Sequence, residues 1–225
     1  MNLNELKEKI TILNDVHKTF SEEFYNDFNG DYNLRKMKVK EAFEERFYNL
    51  SFLDYIENYI TNLAAYTSIN TVLDGLASNN LGEFRSRIKQ KDSILNKLND
   101  YHNRKEKIVE GDLIVQKCLN DLFGCRFIIP NFDYENDLML KLLCELKEDL
   151  PLMRFYYRNR NGYKGLHIYF KNANNHYFPW ELQLWNSEDE ESNERAHKIH
   201  KSKREYISWP KMYEQSERLN LRRKA

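Results

Sequence analysis

The sequence predicts an α/β (α+β) fold: a mixed β-sheet flanked by helices, preceded by an N-terminal helical extension. Three observations carry this. Leu3, Leu6, Ile10, Leu13 and Phe20 recur near helical spacing, so residues 2 to about 28 read as an amphipathic helix. From about residue 81 short β-rich runs alternate with helix-like stretches. Two of those runs flank Arg160-Asn161-Gly162, and Asn-Gly between apolar strands is a strong short-range hairpin signal. With seven glycines and four prolines, most of the chain is expected in regular structure.

The elements follow in order. A second helical region is expected from about Leu34 to Leu76, broken near Ser51 or Ser68. Ser93 to Leu98 is helical, and Gly124-Cys125-Arg126-Phe127-Ile128-Ile129 is a short strand ended by Pro130. Tyr134 to Leu150 is helical again. Strands at Met153–Arg158 and Tyr163–Phe170 form the hairpin, and a further strand runs from Tyr177 to Trp185. Ser187 with Glu190 three residues on reads as a capping box opening a helix to about Tyr206. No linker of low complexity intervenes. Residues 1–80 are therefore expected to pack, as a helical extension, on a core formed by residues 81–225.

Composition narrows the class of function. The 225 residues carry no formal net charge, which argues against a generic coat for DNA or RNA. Charge is instead segmental: eight Lys/Arg against three acids from Phe84 to Lys107, and five basic residues with no acid from Arg195 to Arg204. Such patches suit one face that handles polyanions. Cys118, Cys125 and Cys144 form no CxxC pair, so neither a zinc site nor a disulfide framework is expected. No apolar window approaches a membrane span, and the charged start MNLNELKEKI does not read as a signal peptide. A cytoplasmic protein without a membrane partner is the expectation.

Period-2 reasoning places the polar residues. Tyr163, Gly165 and His167 share one face of their strand, opposite Leu166, Ile168 and Phe170. Glu181 and Gln183 lie opposite Trp180, Leu182 and Leu184. A carboxylate inside so apolar a strand is costly unless a cation or metal partners it, and Asp121 poses the same problem before its strand. Brought together at the sheet, the two could hold Mg²⁺, which prefers hard oxygen ligands and substrate phosphates. Arg85, Arg87, Lys89 and Lys97 supply positive charge of the kind a triphosphate needs. Taken singly each signal is weak: Asp121 could cap a turn, Glu181 could serve an edge salt bridge, and His197 and His200 could be surface residues. Their order and spacing decide.

In that order the chain resembles the synthetase domain of RelA/SpoT-type enzymes. Arg87-Ile88-Lys89 followed by Ser93-Ile94 and Lys97 is similar to the family's basic Arg-x-Lys…Ser-Ile-x-x-Lys segment. Asp121-Leu122-Phe123-Gly124-Cys125-Arg126 resembles its Asp-x-x-Gly-x-Arg strand, and Asn161-Gly162-Tyr163-Lys164-Gly165-Leu166-His167 its Asn-Gly-Tyr-x-Ser-Leu-His loop. Glu181-Leu182-Gln183-Leu184 is similar to its Glu-x-Gln-x strand, and His197 with Lys201 resembles the His and Lys of its closing helix. The resemblance spans about residues 81 to 206 and implies a nucleotidyltransferase-like sheet and a magnesium-dependent pyrophosphokinase using ATP. It implies Asp121 as metal ligand, and Glu181 as the group orienting or deprotonating the attacking hydroxyl, touching metal as well. Arg87, Lys89, Lys97 and Arg126 would hold ATP. Tyr163 would stack on the acceptor base, with His167, Arg154, Gln183, His197 and Lys201 completing the acceptor site.

Departures from the pattern bear on the acceptor. The family's Gln-Ile-Arg-Thr reads Gln183-Leu184-Trp185-Asn186, Gly165 replaces Ser, and no His-Asp pair marks the hydrolase domain of long members. The Leu-Trp-Asn ending, the 44 residues after Glu181 and the N-terminal extension resemble the toxin branch of small synthetases. That branch implies a growth-inhibiting enzyme acting on the tRNA 3′ CCA end, with an antitoxin protein as a partner. The alternative is a GTP/GDP pyrophosphokinase making the alarmone (p)ppGpp. The weaker alternative is a non-catalytic nucleotide- or RNA-binding module, against which retention of both carboxylates counts.

Overall fold

The computed structural model describes residues 3–28, 30–44, 47–77, 81–103, 111–172 and 174–202. The apolar stripe of the N-terminus forms α1 (Leu3–Phe28), which buries Leu6, Ile10, Leu13, Val16, Phe20 and Phe24. Residues 34–44 are not helical, against expectation. Their backbone groups pair at long range instead: Leu34 N–H with the Asn175 carbonyl (2.9 Å), Val39 with Leu113 (2.8 Å) and Lys40 with Gly111 (3.0 Å). Those partners outcompete local i→i−4 bonds, leaving a 3₁₀ turn over Val39–Ala42 and a minimal hairpin, β1 (Phe43–Glu44) with β2 (Phe47–Tyr48). Helix resumes at α2 (Leu50–Ile69) once the Asn49 side chain accepts from the Phe52 N–H at 3.1 Å. Asn70 separates it from α3 (Thr71–Ala77), close to the break expected at Ser68.

The second half supplies β3 (Glu83–Ile88), α4 (Lys91–His102), α5 (Val115–Cys118), β4 (Phe123–Ile129), α6 (Asp137–Asp149), β5 (Leu152–Arg160), β6 (Tyr163–Phe170), β7 (Trp180–Asn186) and α7 (Glu190–Ser202). The sheet order is β3-β4-β7-β6-β5, with β4 and β7 parallel and the other neighbours antiparallel. The mixed sheet flanked by helices is thus as expected, with β3 an edge strand that the sequence reading did not place. Its signal was period-2 alternation, Phe84 and Ile88 packing on the core while Arg85 and Arg87 alternate with them. The β5–β6 turn has Asn161 at φ 55° and Gly162 at φ 76°, the two positive values of the type I′ turn that Asn-Gly favours. Asn186, rather than Ser187, opens the closing helix: its side chain accepts from the Glu188 N–H (3.1 Å) and starts a 3₁₀ turn leading into α7. The end expected near Tyr206 lies outside the described residues.

The two faces of the sheet differ. One carries Phe123, Cys125, Phe127, Leu166, Ile168, Phe170, Trp180, Leu182 and Leu184 into one cluster with the apolar stripes of α1, α2, α4 and α6. The other bears a small cluster of Ile128, Tyr163 and Trp185 under Ala196 of α7, and beside it the polar residues described below. No helix among the described residues is long and apolar enough to cross a membrane.

His17 is a polar group inside the large cluster. Its ring stacks on Phe123 (centroids 5.8 Å apart, planes 6° off parallel), Nδ1 accepts from Asn172 Nδ2 (3.2 Å), and Nε2–H donates to the Tyr59 hydroxyl (3.0 Å). Burial lowers its pKa to about 3. Because the folded value lies below the unfolded value near 6.5, the unfolded chain takes the proton first. Stability is therefore lost as pH falls from about 6.5 toward 3, by about 2 kcal/mol at pH 5. Urea midpoints at pH 7 and pH 5 should show this loss for the native chain and a smaller one for His17→Gln. Equal losses in both proteins would contradict this role for His17.

Candidate active site

The polar face of the sheet floors a cleft of about 980 Å³, walled by α4 and by His197 from α7. Arg87, Lys89, Lys97, Lys117, Arg154 and Arg158 line it against the carboxylates of Asp100, Asp121 and Glu181, so cations outnumber anions at the surface. Alternation along β3 turns Arg87 this way. Gly124, its partner in the register, leaves the space it crosses: a Cβ there would lie 3.4 Å from Arg87 Nε. Lys89 follows the strand end, its N–H bonded to the Leu122 carbonyl at 2.9 Å. Lys97 projects from α4, which buries Ile94, Leu95 and Leu98.

Asp121 stands just before β4 and already has partners. One oxygen accepts from Lys89 Nζ at 2.6 Å and the other from Lys97 Nζ at 3.0 Å, with Asn120 Oδ1 accepting a further Lys97 bond at 3.2 Å. Burial would raise the Asp121 carboxyl, but Lys97 and Lys89 outweigh it and hold the group below its ordinary value, while Glu181 opposes them. For Lys89 burial wins and lowers its pKa; for Lys97 burial also acts downward, but Asp121 reverses it.

Glu181 is the second residue of β7, 4% exposed, opposite Tyr169 and beside Gly124. Its partners are hydrogen-bond donors rather than a lysine or arginine. His167 Nδ1–H donates to Oε1 at 2.8 Å, Gln183 Nε2 to Oε2 at 2.8 Å, and Tyr169 adds its hydroxyl. Burial pushes this carboxyl up; the hydrogen bond from His167, followed by that from Tyr169 and the charge of Arg87, overcomes it and holds Glu181 well below the carboxylate range. The chain of donors continues outward. The Trp185 indole N–H donates to the Tyr163 hydroxyl (3.0 Å), which donates to His167 Nε2 (2.8 Å), a direction that fixes the imidazole tautomer.

Of the residues singled out in the sequence, Arg87, Lys89, Lys97, Asp121, Arg154, Tyr163, His167, Glu181, Gln183 and His197 all line this cleft. Arg126 does not. Its guanidinium lies 3.3 Å from the Trp185 ring centre and donates to Gln183 Oε1 (3.2 and 3.0 Å) and Glu194 (3.0 Å), and burial pushes it down to about 10. It backs the site. The side chain of Lys201 lies outside the described residues, as do Lys203 and Arg204.

Tyr163 differs most from expectation. It is only 5% exposed, its ring stacked on His197 (5.3 Å, 10°) with the Arg158 guanidinium 5.5 Å from its centre. An acceptor base could stack there only after His197 moved. Gly165 and Trp185, two separate departures from the family pattern, turn out to be one packing unit. A Cβ at Gly165 would meet the Tyr163 hydroxyl at 2.8 Å and the Trp185 ring at 3.0 Å. Asn193 of α7 pairs through its amide with the Lys164 backbone (2.7 Å both ways), and Arg85 pairs with Glu190; together they strap α7, and so His197, over this end of the sheet.

Some solved structures are similar to this chain at low identity. The small alarmone synthetase 2 from Bacillus subtilis is similar at 19% identity over 76% of this chain and 92% of its own, with a TM-score of 0.39. The small alarmone synthetase 1 from Bacillus subtilis bound to its product pppGpp is similar at 14% identity over 78% and 94%, with a TM-score of 0.41. The same enzyme bound to AMPCPP gives 14% identity, 78% and 94%, and a TM-score of 0.35. No protein-family model and no curated protein matches the chain.

Sequence reasoning passed over several cleft residues. Tyr169 lies two residues beyond His167, so the period that placed His167 also places Tyr169 beside Glu181. Tyr156 and Arg158 follow from Arg154 by the same period along β5. Lys117 and Asn120 precede β4 without a repeating pattern, and only the folded chain shows them at the cleft.

Proposed function

We propose that the cleft is the active site of an ATP-dependent pyrophosphokinase that transfers the diphosphate of ATP to the 3′-hydroxyl of a nucleotide acceptor. The observation that carries this reading is one cavity in which Lys89 and Lys97 hold Asp121 while Arg87 and Glu181 face the same space. In the transfer, the hydroxyl oxygen bonds to the β-phosphorus, the bond from that phosphorus to the α,β-bridging oxygen breaks, and AMP leaves. Such chemistry needs two polyanions held in line and their charge neutralised more than it needs a covalent helper. Arg87, Lys89 and Lys97 grip the triphosphate. Glu181, kept ionised by its donors, accepts the hydrogen bond of the attacking hydroxyl, and its low basicity suits it to orienting more than to storing the proton.

The donor set fits magnesium. Asp121 and Glu181 offer hard oxygens to the same cleft, and phosphate and water oxygens would complete such a shell. Among the described residues no group of three or more His, Cys, Asp or Glu stands ready to hold a metal. The ion would supply charge neutralisation on the transferred group.

Two acceptors fit. A guanine nucleotide, GDP or GTP, suits a walled cleft with aromatic side chains on its floor. A tRNA 3′ end, with its toxin role and antitoxin partner, is favoured by the edge position of β5, where Arg154, Arg158 and Arg160 are exposed and able to follow a phosphate backbone. Incubation with γ-labelled ATP and GDP, GTP or bulk tRNA should move label into one of them and release AMP. Failure to label any acceptor, with ATP left intact, would sink the transferase reading.

A further inference from the structure

The platform for the acceptor base is open to question because Tyr163 is covered. Tyr156, one of the cleft-lining aromatics, is 36% exposed against 5% for Tyr163. It stands on β5, at the edge of the sheet, so no further strand flanks it. Opposite it in the register is His167, whose ring lies nearly parallel to its own (5.2 Å, 7°); Tyr169 is also close to parallel (6.0 Å, 18°). The Tyr156 and Tyr169 hydroxyls are 3.3 Å apart, and Tyr169 in turn bonds Glu181. An object resting on Tyr156 is therefore two hydrogen bonds from the carboxylate assigned to the attacking hydroxyl. Arg154 and Arg158 stand at the i−2 and i+2 positions on the same face of the strand, with the Arg154 guanidinium 5.5 Å from the Tyr156 ring centre. A planar π-surface between two guanidinium groups is the chemistry that takes a nucleobase with phosphates on either side.

We infer that Tyr156, flanked by Arg154 and Arg158, is the stacking platform for the acceptor nucleobase in this chain, in place of Tyr163. This rests on the transferase reading for the word acceptor; the subsite itself rests on the geometry. The ligand is a nucleobase with adjoining phosphate, which a free nucleoside diphosphate or the terminal nucleotide of an RNA can present. Tyr163, locked by Trp185 and His197, instead holds His167 in its tautomer.

Calorimetric titration of the full chain with GDP, and with a short single-stranded RNA ending in a 3′-adenosine, tests this without turnover. Tyr156→Ala and Tyr156→Leu should each weaken binding of the preferred probe by about ten- to a hundredfold. Tyr156→Phe should stay within about threefold of the native chain, since stacking does not need the hydroxyl. A non-hydrolysable ATP analogue should bind all four proteins alike. Thermal melts establish that the variants fold; the Leu variant keeps apolar bulk if Ala does not. Preference for GDP assigns the subsite to free nucleotides, and preference for the RNA assigns it to a strand terminus. Native affinity in folded Tyr156→Leu, or no binding of either probe by the native chain, overturns the inference. Binding that depends on Tyr156 without any label transfer from ATP would leave the subsite standing and remove the transferase reading alone.

Discussion

Asp121→Asn should lower diphosphate transfer by about a thousandfold or more while ATP still binds. Removing a charge that faces the reacting phosphates costs what loss of a comparable electrostatic group costs in other phosphoryl-transfer sites. The structure adds a second expectation. Lys89 and Lys97 both spend hydrogen bonds on Asp121, at 2.6 and 3.0 Å, in competition with any phosphate. The amide cannot hold them as a carboxylate does, so ATP affinity measured without magnesium should stay level or rise. The cost in stability should be about 3–5 kcal/mol, because two largely buried ammonium groups lose their carboxylate partner. Single-turnover transfer and equilibrium ATP binding on the same preparation check both halves. Transfer within tenfold of the native chain would remove Asp121 from the mechanism, and a large loss of ATP affinity would show that the pair binds nucleotide as a unit.

A chain beginning at Gly30 should fail to fold. Leu6, Ile10, Leu13, Val16, Phe20 and Phe24 of α1 lie in the same cluster as the core face of β4, β6 and β7. At about 1.5–3 kcal/mol for each side chain, their burial is worth about 9–18 kcal/mol, as much as the whole stability of an ordinary domain. His17 adds its stack on Phe123 and its bond to Asn172, reaching the strand that carries Glu181 through Trp180 (6.1 Å). Circular dichroism and urea unfolding of the shortened chain should show no cooperative transition. A truncated protein that unfolds cooperatively near the native midpoint would make residues 1–29 dispensable for folding.

Residues with a local signature were legible in the sequence itself. The stripe of α1, the Asn161-Gly162 turn and the alternation that puts Glu181, Gln183 and His167 on one kind of face follow from side-chain period and backbone preference, which act within a few residues. That alternation is the reason Tyr163, His167, Glu181 and Gln183 face one cleft, whereas Lys97 and His197 reach it from helices. Partnership was not legible, because it depends on which segments meet. Glu181 was expected to need a cation and instead has His167, Gln183 and Tyr169, two of them from a neighbouring strand. Asp121 has two lysine partners, which lie 32 and 24 residues away in the chain. Residues 34–44 lost their expected helix to backbone bonds with residues 111–113 and 175. Tyr163 looked like an open platform as a hairpin aromatic, until α7, strapped down by Asn193, brought His197 across its ring. Local preference is a matter of tenths to about one kcal/mol for each residue, whereas satisfying a buried backbone group or carboxylate is worth more. Where the two disagree, as at residues 34–44, the tertiary partner decides.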